Sequence, residues 1–273
     1  MEPVSSRPPA RQGAGAARKV QITETDRVLL RFAAEHRFVI AAQVAALLGV
    51  GERTAGERLR RLGDAGHLRG NRELHRGPTW HQITRAGLRA IGSDLPTPRG
   101  FDLATHRHDT GLAWLMLTAR AGRFGPLQGV VSERRMRSHD GRTKDRSLRY
   151  GVRLGGVGPG GRDRLHYPDL VMVSQSGHRV AFELELSTKE VARREGILAG
   201  YAADRRIDAV VYLVEHASVG RAIERSARRM GISDLIRVQR VTMAPSAGAQ
   251  GRSPARVVQR SRAAHDAGPE RAG

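Results

Sequence analysis

Residues 168–186, PDLVMVSQSGHRVAFELEL, contain the strongest folding signal in this chain. The pattern predicts a β-hairpin with a first strand at Leu170–Val173, a turn at Ser174–Gly177 and a return strand at His178–Leu186. A three-residue loop that ends at Gly177 suits a type I turn followed by a left-handed residue, a conformation that glycine adopts without strain. The loop length therefore fixes which residues of the two strands face each other.

Three carboxylates are expected on one face of this hairpin. The register places Asp169 opposite Glu183, with Cβ atoms roughly 5 Å apart, and Glu185 shares their face by alternation. Carboxylates at this distance can share a divalent cation. The alternative is an amphipathic strand whose acids only face water. The acids, however, interrupt an apolar run, Val180–Leu186, which is typical of a strand covered on both faces.

A helix is predicted directly after the return strand. Residues 187–190, Ser-Thr-Lys-Glu, have the pattern of a capping box, so a helix is expected from Thr188 to about Arg205. This helix carries Lys189, Arg193 and Arg194 near its start. A basic helix end beside an acidic pocket suits a phosphate group together with a metal ion.

Composition points to a polyanionic partner. The 273 residues include 47 Lys and Arg against 27 Asp and Glu, a formal net charge of +20. Such an excess favours nucleic acid through counterion release, with double-stranded DNA as the expected partner, although a membrane surface or a polyacidic protein would also be attracted. The longest apolar stretch, Leu112–Leu117, is too short to span a bilayer, and the N-terminus lacks a hydrophobic signal core. A cytoplasmic protein without membrane insertion is therefore expected, and the absence of cysteine excludes Cys-based zinc sites.

The chain is expected to form two domains between two basic tails. Residues 1–18 and 244–273 are rich in Pro, Ala, Gly, Ser and Arg without apolar periodicity, which indicates disorder. Residues 19–98 are predicted to be a winged helix-turn-helix domain, and residues 99–243 an α/β domain. The fold class is therefore α/β, or α+β overall.

The helices of the first domain are predicted from their boundary signals. Thr23 to Asp26 opens the first helix, Ala41–Leu48 is the second and stops at Gly49, and Thr54–Gly66 is the third. The third helix is expected to bury Ala55, Leu59 and Leu62 and to turn Thr54, Arg58 and Arg61 outward, towards a major groove.

A wing is expected to complete this DNA face. Strands at Leu68–Leu74 and Thr79–Ile83 flank a basic turn, and Thr84 caps a closing helix through Ile91. A winged helix that binds protein or forms a dimer interface is the alternative. The predicted DNA contacts are Arg53, Thr54, Arg58, Arg61, Arg69, Arg72 and Arg76, with His75 also on the wing.

The second domain is predicted to have the element order αβββαβαβ around a mixed sheet, an α/β sandwich. The elements are a helix from Phe101 or Asp102 to Arg123, a strand Val130–Arg137, a polar loop Ser138–Arg164, the hairpin, the helix after it, a strand Ala209–Val214, a helix Val219–Met230 and a strand Ile236–Thr242.

This order, with Pro168-Asp169 and Glu183-Leu184-Glu185 on neighbouring strands ahead of a helix, resembles the PD-(D/E)XK nuclease superfamily over most of residues 100–215. Combined with the N-terminal winged helix, residues 20–243 resemble the replication-relaxation family of actinobacterial plasmids and integrative elements. The family resemblance implies a DNA-binding accessory protein of replication, relaxation or mobilisation, with other replication or transfer proteins as further partners.

The superfamily resemblance also implies a metal-dependent phosphodiesterase site. Asp169 and Glu183, with the Leu184 carbonyl, are expected to hold Mg²⁺ or Mn²⁺, an ion that activates water and stabilises charge on phosphate. Glu185 stands where the motif has lysine, and Lys189 is the expected replacement for that positive charge. Asp109 or Glu133 is an optional third carboxylate, and His106 and His108 are weaker candidate ligands.

Two alternatives to the accessory role remain open from the sequence. The protein is an active Mg²⁺-dependent endonuclease that uses Asp169, Glu183, Glu185 and Lys189, or it is a winged-helix transcriptional regulator.

Overall fold

The structure, a computed structural model, describes residues 21–71, 77–161 and 163–243. We call residues 21–71 and 77–98 the N-terminal unit, and residues 99–161 and 163–243 the α/β unit. The elements of the N-terminal unit are α1 (Glu24–Glu35), β1 (Val39–Ile40), α2 (Ala41–Leu48), α3 (Glu52–Asp64), β2 (Leu68–Asn71), β3 (Trp80–Ile83) and α4 (Arg85–Ala90).

The helix boundaries of the N-terminal unit follow local signals. Thr23 caps α1 through a capping box, in which its side chain accepts from the Asp26 N–H and the Asp26 carboxylate accepts from the Thr23 N–H. Helix α2 ends at Gly49, which has φ +66° as a left-handed terminator requires. Thr84 caps α4 by accepting from the Gly87 N–H. These boundaries agree with the sequence prediction.

Helix α3 begins two residues before the predicted Thr54, and it buries Ala55, Leu59 and Leu62 as expected. Behind it, β3 lies at the centre of a three-stranded antiparallel sheet, between β1 and β2. The two-residue strand β1 was not predicted because it is too short to show periodicity. The wing residues Arg72, His75 and Arg76 lie outside the described residues.

The α/β unit contains α5 (His106–Arg120), β4 (Leu127–Ser132), α6 (Glu133–Arg142), β5 (Val152–Val157), β6 (Asp163–His166), β7 (Leu170–Ser174), β8 (Arg179–Glu185), α7 (Val191–Ala203), β9 (Ala209–Val214), α8 (Ala217–Arg229) and β10 (Ile236–Arg240). Its main sheet has the strand order β10-β9-β8-β7-β4. The β4–β7 and β7–β8 pairs are antiparallel, whereas β8–β9 and β9–β10 are parallel. The fold is therefore a mixed α/β fold with a mixed sheet, as predicted.

The β7–β8 hairpin has the predicted register. Leu170 pairs with Phe182 and Met172 pairs with Val180. The turn glycine, Gly177, has φ +84°, the left-handed conformation that the loop length required.

Helices cover both faces of the main sheet. On one face, Phe182 and Leu184 pack into a core that includes Met116 of α5. This core also contains the apolar residues of α1, α2 and α3, so it is continuous with the core of the N-terminal unit. On the other face, β8 and β9 pack against Leu198 of α7 and Ile223 of α8. Glu183 and Glu185 consequently lie on a covered face, where both are buried.

The predicted strand Val130–Arg137 is wrong. The strand ends at Ser132, whose side chain accepts from the Arg135 N–H and starts helix α6. An ion pair of 2.7 Å between Glu133 and Arg137, one helical turn apart, supports this helix. Val130 and Val131 favour a strand, but the cap at Ser132 ends it and starts a helix.

The prediction of a loop at Ser138–Arg164 is also wrong. The segment contains the end of α6 and the strands β5 and β6, which pair as a two-stranded antiparallel sheet. Its folding depends on a distant acceptor, because the buried Asp140 carboxylate accepts from the backbone N–H groups of Tyr150 and Gly151. The predicted order αβββαβαβ holds for the main sheet, with α6, β5 and β6 inserted between β4 and β7.

The predicted capping box after β8 does not form. Helix α7 begins at Val191 rather than Thr188, and Glu190 precedes it without a side-chain cap. The Lys189 carbonyl instead accepts from Arg194, and the Lys189 ammonium group pairs with Glu185. Residues 187–190 are therefore a connection that turns Lys189 back towards the strand end.

Asp26 connects α1 to α3 in the N-terminal unit. Its side chain is fully buried, and its Oδ1 lies 2.7 Å from Arg58 Nη1 and 2.6 Å from Arg61 Nη2. Burial opposes the charge on Asp26, but Arg61, Thr23 and Arg58 together hold the pKa of its carboxyl well below the usual range. The expected outward orientation of Arg58 and Arg61 is therefore wrong, because Asp26 holds both guanidinium groups.

Asp26→Asn is expected to lower the free energy of unfolding by about 2–4 kcal/mol, because it leaves two half-buried arginines without their counter-charge. Folding lowers the pKa of Asp26. The contribution of its carboxylate to the free energy of unfolding is therefore present above the unfolded pKa of about 4 and is lost as the pH falls below that value. Urea unfolding of the wild-type protein and of Asp26→Asn at pH 7 and at pH 3 measures this contribution. Asp64→Asn, which changes an exposed carboxylate on α3, is the matched control. An equal stability gap at the two pH values would contradict the assignment.

Candidate functional site

Asp169 lies directly ahead of β7, at the position that continues the β7–β8 register opposite Glu183. Its Oδ2 accepts a hydrogen bond of 2.8 Å from the Leu184 backbone N–H. The same oxygen lies 3.1 Å from Nε2 of His108, on the first turn of α5. Asp169 is therefore held by one backbone donor from β8 and one side chain from α5.

Glu183 is 5% exposed and is held from two other elements. Its Oε1 lies 2.6 Å from Nε2 of His166, at the end of β6. The same oxygen accepts from the Tyr201 hydroxyl of α7. The two rings meet edge to face, with centroids 5.7 Å apart. Burial, followed by the charge of Glu183, raises the pKa of Tyr201 well above its usual value, so Tyr201 remains a proton donor.

Lys189 supplies a positive charge to the strand end. Its ammonium group forms an ion pair with Glu185. Burial lowers the pKa of Lys189, and the nearby charges of Glu183 and Asp169 partly offset that effect. Lys189 therefore reaches Glu185 from the connection before α7, and not from the first turn of the helix, where the sequence placed it.

His108 supplies a second positive charge at the site, in contact with Asp169. Burial disfavours the charged form of His108, but Asp169 and Asp109 outweigh it and raise the pKa of His108 to about 10. The pKa of Asp169 is correspondingly lowered, because His108, the Leu184 N–H and Lys189 overcome the effect of its burial. At neutral pH the two residues form an imidazolium–carboxylate pair.

These groups line an open cleft of about 510 Å³. The acids in its wall are Asp109, Glu133, Asp169, Glu183 and Glu185, and the basic side chains are Arg37, Arg107, Arg137, Lys189 and Arg193. Arg37 comes from the N-terminal unit and lies 3.6 Å from Asp109. Asp109 also accepts from the Thr105 hydroxyl, and Glu133 pairs with Arg137. The cleft is thus lined by both acidic and basic side chains, with basic side chains from both units.

The donor set fits a cation held by two carboxylates. Among the described residues, hydrogen bonds engage Oδ2 of Asp169 and Oε1 of Glu183, which leaves one oxygen of each for a ligand. No group of three or more His, Cys, Asp or Glu side chains is arranged to hold a metal ion within the described residues. Mg²⁺ commonly binds proteins through one or two carboxylates and keeps its other positions for water and phosphate oxygens. Asp169 and Glu183 match that mode rather than an all-protein cage.

The predicted DNA-binding side chains have different environments. Arg53 and Thr54 are exposed at the start of α3, where Arg53 pairs with Glu57 at 3.1 Å. Arg69 on β2 donates to Gln82 at 2.9 Å. Arg58 and Arg61 face Asp26, and Arg72 and Arg76 lie outside the described residues. The exposed first turn of α3 thus carries Glu52, Arg53 and Thr54.

His166 and Tyr201 were not identified from the sequence. Tyr201 occupies a buried position of α7 beside Ile197 and Leu198, so its spacing is typical of a core residue. His166 lies between the predicted loop, which ends at Arg164, and the predicted hairpin, so the sequence assigned it to no element. The signal for it was its position three residues before Asp169, close enough to reach the same strand end.

Comparison with known proteins identifies no family. No protein-family model matches the chain, and no curated protein matches it. Among solved structures, a chain described as "PigF with SAH" is 16% identical, covers 79% of this chain and 55% of that chain, and has a TM-score of 0.20. So low a TM-score supports no conclusion about fold or function. In the described part of the chain, helices that combine the length and the apolar character needed to cross a bilayer are absent.

Tyr201→Phe is expected to destabilise the protein by about 1–3 kcal/mol, because it removes a donor from the buried Glu183 carboxylate. The matched control is Tyr212→Phe, which removes a buried hydroxyl on β9 that takes part in none of the hydrogen bonds to Glu183. Chemical denaturation of the two variants compares them. Equal destabilisation would show that the Tyr201 bond has no special role.

Proposed function

We propose that the protein binds duplex DNA and that its cleft contacts the phosphodiester backbone. The observation that carries this proposal is the cleft itself, which is lined by Arg37 of the N-terminal unit, by Arg107, Arg137 and Arg193 of the α/β unit, and by Asp169 and Glu183. Arginine is well suited to phosphate because its planar guanidinium can donate two parallel hydrogen bonds. The net charge of +20 supports a polyanionic partner.

The N-terminal unit supplies the duplex-docking surface in this proposal. Helix α3 follows α2 after a short turn, which is the arrangement that places a helix in a major groove. Its exposed residues Arg53, Thr54 and Arg60 are the groove contacts, whereas Arg58 and Arg61 hold the helix in place through Asp26. In this role the protein acts as an accessory factor of plasmid or integrative-element replication, relaxation or mobilisation, as the sequence resemblance implies.

The logarithm of the DNA association constant is expected to fall linearly with the logarithm of the salt concentration. The double variant Arg53→Ala and Arg60→Ala should weaken duplex binding by about 1–3 kcal/mol and reduce the salt slope by roughly one for each phosphate that is no longer neutralised. Fluorescence anisotropy with a labelled duplex between about 50 and 300 mM salt measures both quantities, because counterion release changes affinity steeply over that range.

The matched control is a double variant of exposed arginines on α8, Arg225→Ala and Arg228→Ala, which removes the same charge from another surface. Equal weakening by both double variants would show that α3 is not the docking surface. Wild-type protein that binds no duplex at low salt would exclude the proposed function.

A metal-dependent endonuclease is the second candidate, and one observation favours it. Asp169 and Glu183 each keep one carboxylate oxygen outside the hydrogen bonds found at the site, and the two residues are cross-strand neighbours. These residues would hold a divalent cation, which lowers the pKa of a bound water and stabilises charge on the phosphate. His108 and Lys189 hold the carboxylates in place and add positive charge near the scissile phosphate.

Under this second proposal, supercoiled plasmid incubated with wild-type protein and Mn²⁺ or Mg²⁺ is nicked or linearised. Asp169→Ala and Glu183→Gln abolish cleavage because each removes a cation ligand, while duplex binding through α3 persists. Gel analysis with and without the cation measures this, and Glu224→Gln on α8 is the control for removal of an exposed carboxylate. Wild-type protein that binds DNA but is inert with every cation would exclude the endonuclease and leave the binding role standing.

A further inference from the structure

The β5–β6 hairpin forms a two-stranded sheet that is separate from the main sheet of the α/β unit. Its base is fixed, because Val152 is buried in the core on the α7 side and Gly200 of α7 approaches closely. A Cβ added at Gly200 would lie 2.8 Å from the Arg153 carbonyl oxygen, so this close approach requires glycine. At the other end of the base, His166 reaches Glu183 at 2.6 Å. The hairpin is thus anchored at the edge of the cleft.

Leu154 is the last residue of β5 that packs against the core on the α7 side, and the described residues from Gly155 to Arg164 belong to neither core. The pairing is interrupted between Arg153 and Val157, and the bulge contains Gly155 and Gly156, with φ of +74° and +67°. Val157 beyond the bulge is 76% exposed. Isolated two-stranded sheets are marginally stable, and an exposed valine among glycines adds nothing to that stability. Folding therefore does not account for the residues at this tip.

The charge and shape of the hairpin suit a nucleic-acid groove. Arg153 and Arg164 are exposed, and the acid among the described hairpin residues, Asp163, pairs with Arg153 at 2.7 Å. The Arg164 side chain crosses the bulge, with Nη1 3.9 Å from the position of a Cβ on Gly156. Glycines let the backbone approach a ligand closely, and the major groove of DNA admits a two-stranded β-ribbon.

We propose that the β5–β6 hairpin is a second DNA-contacting element, which enters the major groove of the duplex beside the cleft. Arg164 contacts a phosphate at the groove edge, and Val157 makes an apolar contact at the groove floor. This inference rests on the proposed DNA binding and adds a binding surface that neither the winged helix nor the acidic cleft provides.

The test uses the full chain and a labelled duplex of mixed sequence, with binding measured over a series of salt concentrations. Arg164→Ala should weaken binding and reduce the salt slope by about one, because one phosphate is no longer neutralised. Val157→Ser should weaken binding on the order of five-fold with an unchanged slope, because it removes apolar surface and no charge. Arg225→Ala on exposed α8 is the matched charge control and should bind more tightly than Arg164→Ala.

The outcomes separate this inference from the proposed function. One outcome is that the wild-type protein binds the duplex and that Arg164→Ala, Val157→Ser and Arg225→Ala bind it with equal affinity. That outcome overturns the role of the hairpin and leaves DNA binding intact. Absence of wild-type binding overturns both. If circular dichroism shows that Arg164→Ala is unfolded, the binding of Val157→Ser alone tests the role of the hairpin, since the Val157 side chain is mostly exposed. Binding of an acidic peptide in place of duplex, with the same two variants impaired, also overturns the proposal.

Discussion

The register between β7 and β8 is the constraint on which both the core and the cleft depend. The Leu184 N–H donates to Asp169 Oδ2 at 2.8 Å, so the strand pairing ends on a side-chain acceptor rather than on another backbone group. In this register Phe182 and Leu184 face the α5 side, and Glu183 faces the α7 side. A slip of one residue would exchange these faces and bury the carboxylate among apolar side chains. The same pairing therefore supplies the apolar core and holds Asp169 beside Glu183.

Buried carboxylates are stable here because each has a partner from a different element. His108 of α5 neutralises Asp169, His166 of β6 and Tyr201 of α7 bind Glu183, and Lys189 pairs with Glu185. Without such partners, burial would raise their pKa values and discharge them. The site consequently requires α5, β6 and α7 together, since removal of any one of them leaves a buried acid without one of its partners.

Features with local causes could be predicted from the sequence, whereas features with distant causes could not. The hairpin register, and with it the pairing of Asp169 with Glu183, follows from a three-residue loop and alternating apolar residues. The donors that hold these acids come from the packing of α5, β6 and α7 around the strand ends, which no local pattern specifies. The β5–β6 hairpin likewise depends on Asp140, which accepts from N–H groups ten or more residues away. Arg61 of α3 turns inward because it pairs with Asp26, which lies on another helix. Local propensity contains no information about such distant partners.

The two units are joined by contacts that fix the position of α3 relative to the cleft. Gln43 of α2 donates to the Thr110 carbonyl at 3.1 Å, Arg134 of α6 donates to the Ala34 carbonyl at 2.9 Å, and Arg135 pairs with Glu35 at 3.0 Å. The shared apolar core between α2 and α5 reinforces these bonds. In the DNA complex that we propose, a duplex docked on α3 would reach the cleft only along a path that these contacts define, because the two surfaces do not move as separate domains on a linker would. If the DNA must bend to follow that path, its deformability contributes to selectivity even where no side chain contacts a base.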